Sequence, residues 1–94
     1  MAEYIFRSHF SNEINSFISF KRNLGYKYNI QRMREIDIYF YKKSFKELTK
    51  ENVLSWCQKR RHEKHSNLCS RVSAMRQFTL YMERISRKVY VIPH

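Results

Sequence analysis

The scarcity of glycine and proline is the sequence feature that most limits the folds open to this chain. Its 94 residues contain one glycine and one proline. An all-β domain of this length would need turn residues roughly every 8–12 positions, so that class is disfavoured. The apolar residues instead recur at the spacing of amphipathic helices. The sequence therefore predicts an all-α fold, a compact four-helix bundle.

Four stripes of apolar residues locate the predicted helices. Each helix follows a side chain that suits an N-cap: Ser11, Asn29, Thr49 and Ser66. The first helix is expected to stop at Gly25, the second near Lys43 and the third near Arg61. The fourth is expected to be the longest, and residues 89–93 are predicted to form an extended strap. One domain should span residues 1–94, with its helices within residues 11–88 and a linker starting at residue 89.

The predicted core is centred on Trp56. The apolar face of the fourth helix is expected to comprise Leu68, Val72, Met75, Phe78, Thr79 and Met82. Arg71 is expected to lie beside this stripe, outside its centre. Asp37 falls on the buried side of the second helix, where an ionised carboxylate needs a partner, and Arg34 and Arg76 are both candidates.

The positive charge of the chain is concentrated in two blocks. The formal net charge is +11, from 19 Lys and Arg against 8 Asp and Glu. Residues 20–46 contain eight bases and two acids, and residues 58–88 contain nine bases and two acids. Because such an excess concentrates polyanions near the surface, nucleic acid is the first partner to consider.

The outer face of the fourth helix is predicted to be small and polar. Ser66, Ser70, Ser73 and Gln77 fall together on a helical wheel, opposite the apolar stripe. Asn67, Arg71 and Arg76 lie nearer its edges, from which they could reach phosphates or base edges. The alternative is an ordinary solvated face.

The start of the second helix is the other candidate contact. Lys27, Tyr28, Asn29 and Arg32 bring hydrogen-bond donors and positive charge to a helix N-terminus. The tyrosines Tyr26, Tyr28, Tyr39 and Tyr41 have an alternative role, which is to lay their rings over the core, and that interpretation is preferred for Tyr39 and Tyr41. The run from Lys59 to Lys64 is predicted to make only non-specific backbone contacts with a nucleic acid.

The sequence contains no pattern of a cofactor, metal or catalytic site. Cys57, His62, His65 and Cys69 fall close together, but their spacing matches no zinc finger and Cys57 suits a core position. There is no glycine-rich phosphate loop, nucleophile elbow or pair of catalytic carboxylates. The two cysteines, the lack of a secretory signal and the lack of a long apolar run indicate a soluble cytoplasmic protein.

Four segments together resemble a known family. They are Phe17-Ile18-x-Phe20-Lys21-Arg22-x-Leu24-Gly25-Tyr26, Met33-Arg34-x-Ile36-Asp37, Leu48-Thr49-x-Glu51-x-Val53-x-x-Trp56 and the run from Arg71 to Phe78. With the strap Tyr90-Val91-Ile92-Pro93, their order and spacing are similar to the N-terminal core-binding, SAM-like domain of phage-type integrases, the tyrosine recombinases.

The resemblance implies sequence-preferring binding to double-stranded DNA. In that family the domain is a four-helix bundle that clamps a recombination site together with a C-terminal catalytic domain, and its second and fourth helices face DNA. The DNA-contacting residues predicted on this basis and from the outer helical faces are Lys27, Tyr28, Asn29, Arg32, Lys64, Ser66, Asn67, Ser70, Arg71 and Gln77. The nucleophilic tyrosine belongs to the catalytic domain, so none of the seven tyrosines here is assigned that role. The implied partners are DNA, the catalytic domain and other recombinase protomers, in a bacterial or phage-encoded protein.

Two other function classes are also compatible with the sequence. A protein-interaction module would dock through the apolar tail Val89–Ile92 and an exposed Ile38, with the charge serving only solubility. A helix-turn-helix transcription regulator would need two helices joined by a tight turn, which the charged connector from His62 to His65 disfavours.

Overall fold

The computed structural model describes residues 4–25, 27–85 and 87–93. Its four helices are α1 (Ser11–Asn23), α2 (Gln31–Lys43), α3 (Lys50–Trp56) and α4 (His65–Arg84). In this described part of the chain the only β-type pairing is one isolated parallel bridge, between Leu48 and Val89. The predicted all-α fold with four helices is therefore confirmed.

The chain divides into two compact units, Met1–Lys46 and Glu47–His94. The first contains α1 and α2, and the second contains α3, α4 and the strap. The prediction of one domain over residues 1–94 stays a prediction. Tyr26, whose ring was a candidate for the core, and His94, at the end of the predicted strap, lie outside the described residues.

The core of the first unit is formed by the apolar stripes of α1 and α2. Ile14, Phe17, Met33, Ile36 and Phe40 are all almost fully buried. Each such side chain stabilises the fold by about 1.5–3 kcal/mol relative to exposure. These are the helical spacings on which the sequence prediction depended.

Turn residues end both helices of this unit. Gly25 has a φ of 91° and its amide donates to the carbonyl of Arg22, so the predicted stop is confirmed. Ser44 ends α2 in the left-handed region, with a φ of 55°. The predicted end near Lys43 is therefore also confirmed.

Asp37 ties the N-terminal segment to α2. The side chain is buried, and its carboxylate accepts hydrogen bonds from the Tyr4 hydroxyl at 3.2 Å and from the Arg7 and Ser8 amides at 3.0 and 2.9 Å. Its structural role is confirmed. The donors differ from the guanidinium groups proposed for it, because the chain before α1 returns to α2 and presents its backbone there.

The core of the second unit is built around Trp56. Val53, Met75, Phe78 and Met82 are buried with it, and the indole Nε1 donates to the carbonyl of Arg71 at 2.9 Å. The strap is extended as predicted, with the Tyr90 amide bonded to the carbonyl of Leu48 at 2.8 Å. It therefore packs against the start of α3 as a short β-like pairing.

Three of the four predicted N-caps are wrong. The N-cap of α2 is Ile30, so Asn29 lies one residue before it. α1 begins at Ser11 itself, because the amide of Ser11 bonds to the carbonyl of Ser8 in the preceding turn. α4 begins at His65, because the carbonyl of Lys64 accepts from the third and fourth residues of that turn, and Ser66 lies inside the helix. Thr49 is confirmed as a cap, since its Oγ1 accepts from the Asn52 amide at 3.2 Å.

The third helix is shorter than the sequence predicted. It ends at Trp56 instead of near Arg61. The carbonyls of Trp56 and Gln58 accept hydrogen bonds from the Arg71 guanidinium, where a longer helix would have used them within its own backbone. Arg71 therefore sets the point at which the chain leaves α3.

Candidate nucleic-acid interface

The connector between α3 and α4 contains the densest group of exposed cations in the second unit. Residues 57–64 leave Trp56 and turn back at His62, which has a φ of 62°. The side chains of Lys59, Arg60, Arg61 and Lys64 are all exposed around this turn.

Glu63 is the one acid in this connector, and it faces inward. Its side chain is 3% exposed, and its two oxygens accept from Nε and Nη2 of Arg71 at 2.7 and 2.8 Å. The backbone amide of Arg60 and the side-chain amide of Asn67 also donate to this carboxylate. The carboxylate of Glu63 is thus paired with the Arg71 guanidinium on the inner side of the connector. The exposed charged side chains of the connector are all cationic.

Arg71 is fully buried, which corrects two predictions about it. Besides Glu63, its guanidinium donates to the carbonyls of Trp56 and Gln58. It also lies 5.1 Å from the centroid of the Trp56 ring, within cation–π distance. Arg71 lies inside the core instead of beside it, so a side chain with all its donors turned inward offers DNA no contact in this conformation.

The hydrogen bonds to Glu63 lower its pKa to about 2, chiefly through the Arg71 guanidinium. A carboxylate with a lowered pKa in the folded state stabilises the fold above its unfolded pKa, and that stability is lost as pH falls through the folded pKa. We expect the free energy of unfolding to fall as pH drops from about 4.5 to about 2. Urea unfolding across this range should give a flatter pH profile for Glu63→Gln; an equal slope in both proteins would contradict the assignment.

The predicted outer face of α4 is exposed. Ser66, Asn67, Ser70 and Gln77 all lie on the surface, and Ser73 is half-buried. Gln77 donates weakly to the Ser73 hydroxyl at 3.4 Å. Short polar side chains of this kind let a helix approach a groove closely. The outer face of α4 is therefore exposed and polar, as the sequence predicted.

The apolar face of α4 differs from the prediction at its N-terminal end. Met75, Phe78, Thr79 and Met82 are buried as expected, whereas Leu68 and Val72 are half-buried. Arg76, a predicted edge residue, is half-buried, and its guanidinium reaches the carbonyl of Pro93 in the strap at 3.4 Å. The polar face of α4 therefore carries fewer cations than the sequence suggested.

The predicted contact residues at the start of α2 have different environments. Lys27 is exposed, and the side-chain oxygen of Asn29 accepts the Gln31 amide at 2.9 Å from one residue before the N-cap, which is Ile30. Arg32 forms an ion pair with Glu35 at 2.7 Å. A phosphate would have to compete with that carboxylate for the guanidinium.

The tyrosines of this unit divide between core and surface. Tyr28 is half-buried with its ring edge-on to Phe17 at 5.7 Å, and burial raises the pKa of its hydroxyl. Tyr39 is half-buried against Phe45, as predicted. Tyr41 is 56% exposed, so the prediction that its ring lies over the core is wrong; the position faces outward on α2.

The structure keeps each predicted group of contact residues together. Lys64, Ser66, Asn67, Ser70 and Gln77 follow one another along the start and outer face of α4, and the other group surrounds the first turn of α2. The inward-facing Glu63 was missed, although one signal pointed to it. Arg71 is in phase with Met75, Phe78 and Met82, which places a cation in the buried stripe and requires an acid nearby.

The cysteines do not form part of a ligand cluster in the described residues. Cys57 is half-buried, and burial raises the pKa of its thiol. Cys69 is exposed, with its Sγ 3.3 Å from Nε2 of His65. Among the residues that the structure describes, no three His, Cys, Asp or Glu side chains are grouped as metal ligands. None of the described helices is long and apolar enough to cross a membrane.

No protein-family model, curated protein or solved structure matches this chain. The resemblance to tyrosine recombinases therefore depends on the residues quoted above.

Proposed function

We propose that this chain binds double-stranded DNA as the core-binding domain of a site-specific recombinase, with strand cleavage performed by a separate catalytic domain. The observation that carries the proposal is the charge separation in the α3–α4 connector. Four cations are exposed there, while the connector's only acid is held inside by Arg71. An exposed cationic turn that leads into a small polar helical face suits a phosphate backbone beside a groove.

The two parts of this surface would have different roles. The connector cations would bind phosphates and supply most of the affinity, without regard to sequence. The exposed amide of Gln77 is of the type that contacts adenine in the major groove, so the outer face of α4 would supply a modest preference. Asn67 already donates to Glu63, so its part would be to hold the connector in place.

The start of α2 would add phosphate contacts from the first unit. Lys27 is exposed, and the helix N-terminus carries partial positive charge. Tyr28 and Arg32 are more restricted by their packing and ion pair, so Lys27 and Asn29 are the stronger candidates there. Arg71 is not part of the proposed contact surface.

The length of the connector does not favour the helix-turn-helix alternative. Residues 57–64 separate α3 from α4. A helix-turn-helix joins its two helices by a turn of about three or four residues. The recombinase-type arrangement is therefore the function that we prefer.

The salt dependence of duplex binding tests the proposal. If the connector contributes about four phosphate contacts, the logarithm of the association constant should fall linearly with the logarithm of salt concentration, with a slope of roughly −3 to −4 or steeper. Fluorescence anisotropy with a labelled duplex gives this slope, and the absence of binding at low salt, or binding indifferent to salt, would contradict the proposal. An unlabelled acidic polypeptide as competitor separates duplex recognition from simple charge attraction.

A further inference from the structure

A groove in the first unit lies beside the N-terminal segment and has no role in the proposed DNA contacts. Its volume is about 600 Å³, within the range of roughly 300–1,000 Å³ seen for binding pockets. Tyr4, Ile5 and Arg7 form one wall, and Ile38, Tyr41 and Lys42 of α2 form the other. Asp37 lies between them.

The groove is held in shape by the hydrogen bonds of Asp37. Its carboxylate accepts the Arg7 and Ser8 amides and the Tyr4 hydroxyl, which fixes the segment along α2. The guanidinium of Arg34 lies 4.7 Å from the centroid of the Tyr4 ring and secures the same segment from one side. The wall is therefore preorganised, which lowers the entropic cost of binding a partner.

The walls expose large apolar side chains. Ile5 is 77% exposed, Tyr41 is 56% exposed and Ile38 is 43% exposed. Ile38 and Tyr41 are three residues apart on α2, so they lie on the same outer face. A cluster of exposed apolar residues around a groove is typical of a surface that contacts another protein. Apolar side chains gain no favourable interaction with phosphate groups, so these residues do not suit a DNA backbone.

The charges around this groove are positive. Arg7 and Lys42 are both exposed in its lining, and Arg34 is exposed beside Tyr4. The negative charge of Asp37 is directed at three hydrogen-bond donors of the groove wall. A partner that buries the apolar side chains would therefore gain further attraction by placing carboxylates at the rim.

We propose that this groove binds an acidic amphipathic segment of a partner protein. The apolar side chains of that segment would pack between Ile5 and the Ile38–Tyr41 face, and its Asp or Glu side chains would lie next to Arg7 and Lys42. The mode corresponds to an amphipathic helix in a groove, in which apolar anchors recur at three- and four-residue spacing. None of the residues that line this groove belongs to the proposed DNA contacts.

A pair of synthetic helical peptides tests this assignment. One has leucine at helical spacing with glutamate at the flanking positions, and the other replaces every glutamate by lysine. Titration of the isotopically labelled full chain should show saturable binding of the acidic peptide, at least about ten-fold tighter than the basic one, with shifts centred on Ile5, Ile38 and Tyr41. Equal affinities, shifts elsewhere, or no saturable binding would overturn the proposal.

Matched variants distinguish binding in this groove from non-specific binding to exposed apolar side chains. Ile38→Ser should weaken the acidic peptide roughly ten-fold, as expected when a buried isoleucine contact is lost, and Lys42→Glu should weaken it as well. Leu80→Ser removes a similarly exposed apolar side chain from α4 and should have no effect. An equal loss in the Leu80 and Ile38 variants would overturn the proposal.

Duplex binding by the same variants separates this inference from the proposed function. Ile38→Ser should bind a labelled duplex with unchanged affinity, because the residue lies outside the proposed DNA contacts. If this substitution weakens duplex binding and leaves the peptide unaffected, the groove belongs to the nucleic-acid surface and the inference fails. If no duplex binds while the acidic peptide does, the groove assignment stands and the proposed function fails.

Discussion

Arg71→Ala is expected to destabilise the second unit more than substitution of any other arginine in the described chain. The substitution removes the partner of a nearly buried carboxylate and leaves the carbonyls of Trp56 and Gln58 without their donor. Breaking such a pair from one side is strongly destabilising, because the remaining carboxylate is left without its counter-charge. Since domains of this size are stable by only about 5–15 kcal/mol, a large part of the stability should be lost. Denaturant unfolding followed by Trp56 fluorescence measures it.

Arg61→Ala is the matched control for this substitution. It removes the same charge from the connector that precedes α4, and its side chain is exposed. Exposed substitutions usually change stability by less than about 0.5 kcal/mol. The double variant Arg71→Met with Glu63→Gln should lose less unfolding free energy than the two single variants added together. In the double variant no guanidinium or carboxylate is left without its charged partner. If Arg71→Ala is as stable as this control, the hydrogen bonds of Arg71 contribute little to the stability of the fold.

The helices could be predicted because the spacing of apolar residues along the sequence shows which side of each helix is buried. The stripe from Ile14 to Phe17 and the stripe from Met33 to Phe40 are buried as their spacing requires. Helix ends were less predictable, since a backbone carbonyl in a preceding turn can satisfy the first amides without any side chain. The start of α4 at His65 is one such case.

The candidate site was less predictable than the fold for a specific reason. A helical wheel places Arg71 with Met75 and Phe78, yet arginine is normally assigned to the surface because isolated burial of its charge is costly. Recognising it as buried requires knowing that Glu63 turns inward, and that depends on a connector without periodicity. The partners of Asp37 were missed for the same reason, because residues 4–8 contain no helical signal.

The inward turn of Glu63 links stability to surface charge. If Glu63 faced outward, its carboxylate would lie among Lys59, Arg60 and Lys64 and would weaken the positive electrostatic potential of these cations. By bonding to the guanidinium at 2.7 Å it satisfies a buried cation and leaves the connector surface uniformly positive. The same contact therefore supports both the fold and the proposed DNA contact, which predicts that the two can be separated by substituting only the exposed cations.

Replacing Lys59, Arg61 and Lys64 together by alanine is expected to weaken duplex binding on the order of 10²- to 10³-fold at low salt. All three side chains are exposed, so the fold should be retained. Loss of three phosphate contacts should also make the slope of binding against salt shallower by roughly two to three. Anisotropy titrations at several salt concentrations measure both quantities, and the unfolding midpoint verifies that the variant is folded.

The matched control for this triple variant replaces Lys43, Lys46 and Lys50 by alanine. These three lysines are also exposed, and they change the net charge by the same amount. If the connector binds phosphates directly, the control should lose far less affinity and keep most of the salt slope, because it leaves all the connector cations in place. Equal losses in the two triple variants would mean that net charge alone attracts DNA, and that the connector is not a contact surface.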